Sequence, residues 1–173
     1  MLKSQSSLSL CSRGRNVLLA AVAGAALSWP QISAADSAGP FGKFLGSWRG
    51  SGQVTSTSGA AERISCRATY TGSENGAGLS QTLVCASDSY RFDVRGYVVA
   101  EGQSVQGHWQ EMSRNVAGHV VGRISDGEFE GTIAGSGFAA EMSIRSSNRR
   151  QTVVMRPQGG DIDKVDIILS RES

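Results

Sequence analysis

From residue 46 onward, apolar and polar side chains alternate with a period of two, and turn-forming residues interrupt the alternation roughly every 8–12 positions. No stretch of that region carries a helical period of useful length. The pattern predicts ten strands, at 46–57, 62–71, 78–86, 89–100, 103–112, 115–125, 128–134, 137–145, 150–157 and 163–170. The connections are short, so each strand pairs antiparallel with the next as a hairpin.

Turn residues fix a trial register for these hairpins, and paired side chains must share a face. Asp126-Gly127 pairs Ile124 with Phe129 and Gly122 with Gly131. Gly135-Ser136, taken as a two-residue loop, pairs Ile133 with Phe138. Glu101-Gly102 pairs Val98 with Val105, Gly96 with Gly107 and Val94 with Trp109. Asn148-Arg149 pairs Ile144 with Val153 and Met142 with Met155. Around Asn75-Gly76, Cys66 falls directly opposite Cys85, on the same face as Ile64, Ala68, Tyr70 and Leu83. A cross-strand disulfide is expected there, the alternative being two buried free thiols.

The two faces then separate. One carries Trp48, Val54, Ile64, Tyr70, Tyr90, Phe92, Trp109, Phe129, Phe138, Met142, Met155 and Leu169. The other carries Arg63, Arg67, Arg91, Asp93, Arg95, His108, Arg123, Glu130 and Lys164. A sheet of this many strands with one apolar face must curl to bury it. The expected fold is therefore all-β, an antiparallel up-and-down β-barrel of about ten strands with one cross-strand disulfide. Its apolar face should point inward, because the arginines cannot fill a small lumen unpaired. That is the inverse of an outer-membrane barrel. Gly96, Gly107 and Gly118 are expected as neighbours across three strands, giving either tight curvature or room in the lumen.

The N-terminal part follows another pattern. Lys3, Arg13 and Arg15 precede an apolar run from Val17 to Trp29, and Ser33-Ala34-Ala35 supplies small residues. This reads as a signal peptide over 1–35, cleaved after Ala35, leaving a single domain over 36–173 in the periplasm or outside the cell. A membrane anchor is the alternative, but the run is shorter than the ~20 residues a span needs. Residues 1–35 hold three of the 17 basic and none of the 15 acidic side chains. The remainder has 14 basic against 15 acidic, a net charge of −1, so the electrostatic footprint of a nucleic-acid partner is missing. Cys11 leaves with the signal, and the two remaining cysteines suit an oxidising compartment.

Candidate chemistry is sparse. His108 and His119 fall on the outer face of neighbouring strands, roughly diagonal, with no third ligand for a metal. There is no nucleophile elbow and no inward pair of carboxylates for acid–base work, so no enzymatic activity, metal or cofactor is expected. Glu111 lies on the apolar face near a strand end and should reach rim water. Gln81, on the same face, is placed to hydrogen-bond a ligand or the backbone at a barrel opening. With the inward aromatics it completes the candidate ligand-binding set: Trp48, Tyr70, Gln81, Tyr90, Phe92, Trp109 and Phe138.

The segment Phe44-Leu45-Gly46-Ser47-Trp48-Arg49-Gly50 resembles the opening of the calycin-like barrels. There a Gly-x-Trp motif begins the first strand and the tryptophan plugs one end. With its ten strands the chain looks most like the nitrobindin and fatty-acid-binding-protein side of that group, whereas a classical lipocalin has eight strands. The resemblance implies a structural role for Gly46 and Trp48. Nitrobindin-like proteins hold haem through a histidine near the C-terminal strands, and no histidine follows His119 here. Small exported barrels that inhibit metalloproteases open with a similar stretch. Two functions are therefore expected: a lumen that takes a small apolar or amphipathic molecule, or a cell-envelope interaction module. In the second, Phe41 and Phe44 would be either anchors for a protein partner or a cap on the barrel end.

Overall fold

The computed structural model describes residues 39–173. The expected signal peptide, its cleavage site after Ala35 and Cys11 lie outside the described residues. After a short 3-10 turn at Gly39–Phe41 come ten strands: β1 (Gly46–Ser56), β2 (Ala61–Gly72), β3 (Gly78–Ala86), β4 (Arg91–Glu101), β5 (Ser104–Glu111), β6 (Val116–Ser125), β7 (Glu128–Gly135), β8 (Phe138–Ser146), β9 (Arg150–Pro157) and β10 (Ile162–Arg171). Each pairs antiparallel with its neighbours in sequence, and β1 pairs with β10 to close the barrel. Closure sets Trp48 beside Arg171, Gly50 beside Leu169 and Val54 beside Val165. It follows from the expected need to curl, because a closed ring leaves no edge strand unpaired.

Apolar side chains line the inside. Trp48, Ile64, Ile124 and Leu169 are among the most deeply buried, while Arg67, Arg95 and Arg123 are exposed on the outside. Cys66 and Cys85 form the expected disulfide, directly opposite each other with their Cα atoms 4.1 Å apart. That separation belongs to a non-hydrogen-bonded cross-strand pair, in which side chains approach closely.

Two of the trial registers are corrected, each by two residues. The β4–β5 loop is Gly102-Gln103, so Val98 faces Gly107, Gly96 faces Trp109 and Val94 faces Glu111. Gly102 takes the positive φ of +60° as the first loop residue, the position at which a II′ turn requires it. The β7–β8 loop is Ser136-Gly137, with the positive φ at Gly137, so Phe138 faces Gly135 and Ile133 faces Ala140. The remaining registers stand as expected around Asp126-Gly127, Asn148-Arg149 and the cysteines. A slip of two residues leaves every side chain on its own face, so the division into inside and outside is unaffected.

The glycine row is also different from the one expected. Across the sheet it runs Gly96, Trp109, Gly118, Gly135, Phe138. A Cβ at Gly118 would lie 1.9 Å from the Ala134 carbonyl oxygen, and one at Gly135 would lie 3.1 Å from Cζ2 of Trp109. Gly118 lets β6 and β7 approach closely, and Gly135 gives the indole of Trp109, two strands away on β5, a flat seat.

Candidate functional site

The ends of the barrel differ. At one end the segment before β1 folds inward. Phe41 and Phe44 are both buried, packed edge-to-face on one another at 6.4 Å, and Phe44 meets Tyr70 in the same way at 6.1 Å. These two rings cap the barrel, and their burial removes them as anchors for a protein partner. Trp48 sits beside them, fully buried, its Nε1 donating to the Phe44 carbonyl at 2.7 Å. The Arg171 guanidinium lies 4.3 Å from the Trp48 ring centroid and donates to the carbonyls of Lys43, Leu45 and Asn148. A buried polar chain runs across the same end: Tyr70 Oη donates to Gln151 Oε1 at 2.9 Å, and Ser146 Oγ donates to the Lys43 carbonyl at 2.8 Å. Burial pushes the Tyr70 phenol pKa up, partly opposed by Gln151, so the phenol stays protonated. Gln151 shares the inward parity of Val153 and Met155, the signal by which the sequence could have placed it inside.

The other end is open. A cavity of about 670 Å3 extends from the Phe41–Phe44 cap to a mouth edged by the loops after β3, β5, β7 and β9. Its volume is in the range of sites that enclose drug-sized molecules. Six of the seven sequence-selected residues line it: Tyr70, Gln81, Tyr90, Phe92, Trp109 and Phe138. Trp48 does not, because it lies behind the Phe44 plug. Tyr90 and Phe92 stack with their centroids 6.2 Å apart near the mouth, and Trp109 meets Phe138 edge-to-face at 5.7 Å. Gln81 is half-buried between Tyr70 and Gly96.

Glu111 does not reach out to rim water as expected. It is buried, and its carboxylate accepts from the backbone N–H groups of Asp93 at 3.0 Å and Arg114 at 2.6 Å. Arg114 turns back over it, 3.6 Å from Glu111 Oε2 and 5.6 Å from the Phe92 ring centroid. Burial raises the Glu111 pKa, but hydrogen bonds from Asp93, Arg114 and Ser113 outweigh burial, and the net shift is downward. The carboxylate therefore ties the β5–β6 loop to β4 at the mouth. Arg114 was not singled out from the sequence, because only the loop geometry folds it over Phe92.

His108 and His119 are exposed on the outside of β5 and β6, and they face each other directly instead of diagonally. The Tyr97 ring lies 6.0 Å from that of His108. Among the described residues no group of three or more His, Cys, Asp and Glu side chains is placed to hold a metal. His108 contributes to the cavity wall, but as a residue exposed on the outer side of β5 it is not placed like the C-terminal haem-binding histidine that the nitrobindin resemblance implies.

No protein-family model matches the chain, and no curated protein matches it. Solved structures do. Rv2717c of M. tuberculosis superposes with a TM-score of 0.64 at 15% identity, covering 80% of this chain and all of that one. The S-type phycobiliprotein lyase CPES of Guillardia theta gives 0.54 at 13% identity, covering 77% of this chain and 90% of that one. At these identities the likeness is one of fold. What the chain shares with them is the fold, here a closed antiparallel barrel of ten strands.

Proposed function

We propose that this protein is exported and binds a small, mainly apolar molecule in the lumen of its barrel. One observation carries the reading: the cavity of about 670 Å3, closed at one end by its own N-terminal segment and open at the other. A barrel evolved only for stability would fill this space with side chains, since each void forfeits packing energy. Apolar walls supply the binding energy, and a few polar groups near the mouth supply orientation. The two structural neighbours, both matched at the level of fold, are compatible with this reading. Export is supported by the N-terminal pattern over 1–35 and by the Cys66–Cys85 bridge, which suits an oxidising compartment.

The test is native mass spectrometry of protein expressed from the full chain in bacteria and purified without detergent from the periplasm. The expected species begins at Asp36, is two hydrogens lighter than its reduced form, and carries a small adduct lost on denaturation. A bare protein that also fails to take up the apolar dye Nile red would overturn the lumen reading. A species retaining residues 1–35 would overturn the processing step. Trp109→Ala should weaken dye binding about tenfold, the scale of losing a buried aromatic anchor.

A further inference from the structure

Three polar side chains around the cavity are committed to the protein itself. Tyr70 donates to Gln151. Glu111 is held by two backbone N–H groups, and Arg114 donates to the Arg91 carbonyl while lying against Glu111. Gln81 is half-buried and can turn to water, but one group is both buried and uncommitted. Nε1 of Trp109 has less than 1 Å2 of exposed surface and no hydrogen-bond partner among the described residues. With so little surface, water cannot reach it either. A buried donor left unpaired costs about 1–3 kcal/mol, and such groups are rare enough to require a reason. Packing supplies none: a phenylalanine would lie on Gly118 and Gly135 and meet Phe138 without that cost.

We propose that the Trp109 indole N–H is the recognition donor of the lumen, and that its ligand is an uncharged, mainly apolar molecule bearing a hydrogen-bond acceptor such as a carbonyl or ether oxygen. This deepens the lumen reading and rests on it. Phe138, half-buried at the start of β8, packs edge-to-face on this indole at 5.7 Å, and the proposal requires its ring to turn aside so that the acceptor reaches Nε1. The ligand thereby satisfies a donor that the ligand-free barrel leaves orphaned.

Charge decides against an ionised ligand. Of the ionised side chains in the wall, Glu111 and Arg114 lie 3.6 Å apart and offset each other, and Asp161 at the mouth adds a negative charge that repels an anion. A carboxylate drawn to the indole would sit two residues along β5 from Glu111, a like charge roughly 7 Å away by strand geometry. It would also lose its hydration with no cation in return. Gln81, Gln158, Ser136 and the two tyrosines in the wall are neutral.

Three naphthalenes of similar size test this on the full chain: 2-acetylnaphthalene, 2-ethylnaphthalene and 2-naphthoate. In the wild type, 2-acetylnaphthalene should move the Trp109 indole N–H resonance downfield, whereas 2-ethylnaphthalene should not. That resonance is assigned by its proximity to the Phe138 ring. Trp109→Phe, which keeps the ring and removes the donor, should lower the acetyl-to-ethyl affinity ratio about fivefold, the usual worth of one neutral hydrogen bond. At neutral pH, 2-naphthoate should bind more weakly than 2-acetylnaphthalene. An unchanged ratio in the variant with an unmoved indole resonance would sink the donor assignment and leave the cavity reading standing. Naphthoate binding tightest would sink the uncharged-ligand assignment. If none of the three binds, the lumen reading fails and this inference with it. The wild-type resonance decides the question even if Trp109→Phe folds poorly.

Discussion

Two side chains hold the opposite ends of this barrel, and each acts by satisfying backbone groups. Arg171 covers Trp48 and donates to three carbonyls, two of them in the capping segment. Arg171→Met keeps the stem over the ring and removes every donor. It should lower unfolding stability by about 2 kcal/mol in a urea titration, since hydrogen bonds to charged groups are worth about 1.5–3 kcal/mol each and part is recovered by water. At the mouth, Glu111 has a pKa below the ordinary carboxylate value of 4.5. Its folded-state pKa therefore lies below its unfolded one. The stability it confers is complete above that ordinary value and is lost as pH falls through the folded pKa. Glu111→Gln should destabilise the protein at pH 7 and make the acid limb of the stability profile shallower. An unaltered slope between pH 5 and 3 would refute the assignment. Parity alone placed Glu111 on the inner face. Its burial was not legible, because the partners that draw it in are backbone groups of β4 and of a loop.

At the scale of strands and hairpins, most of the structure could be read from the sequence, and the reason is the period of two. Alternation fixes the face of each residue without needing the turn. Glu101-Gly102-Gln103 and Gly135-Ser136-Gly137 each allow two loops, and the sequence cannot say which glycine position takes the positive φ. The resulting slips moved partners by two residues and left the core set intact. Around Asn75-Gly76 the longer loop keeps the same centre, so the cysteine pairing was legible. That bridge closes a hairpin already held by its ladder. Cys66→Ala with Cys85→Ala should cost less than the roughly 3 kcal/mol of the chain-entropy model and leave a folded barrel, seen as an unchanged far-ultraviolet circular dichroism spectrum with a lower melting temperature. Glycine seats were the less legible feature, since the sequence gives no way to choose between curvature, lumen space and room for a neighbour's ring. Gly118→Ala should be more damaging than a typical strand Gly→Ala change, because its Cβ would meet the Ala134 carbonyl oxygen at 1.9 Å. A cost of about 1–3 kcal/mol is expected from such overpacking, read by the same urea titration.

The barrel of residues 39–173 is a cup, and the asymmetry of its ends gives the cavity its direction. Ten strands enclose more space than their side chains fill, so an unplugged barrel would be a tube open to water at both ends. The segment ahead of β1 prevents this, and its inward rings could not be placed from sequence because nothing in the alternation extends to residues 39–45. Phe44 is at once core and floor: it is buried against Tyr70 and Phe41 and it bounds the cavity. Phe138 bounds the cavity at the mouth and is only half-buried. The two rings have the same chemistry at opposite ends, so comparing their truncations separates structural closure from access. Phe44→Ala should cost about 3–5 kcal/mol, the range for a buried phenylalanine, and should speed the release of bound Nile red through the opened floor. Phe138→Ala should cost distinctly less stability, because less of its surface is removed from water in the folded state. It should speed both entry and release of the dye, and so change the rates more than the affinity. Stopped-flow fluorescence of the two variants reads this directly. Equal stability losses with equal dye kinetics would mean that the ends are equivalent, and the cup would have to be redrawn as a filled barrel.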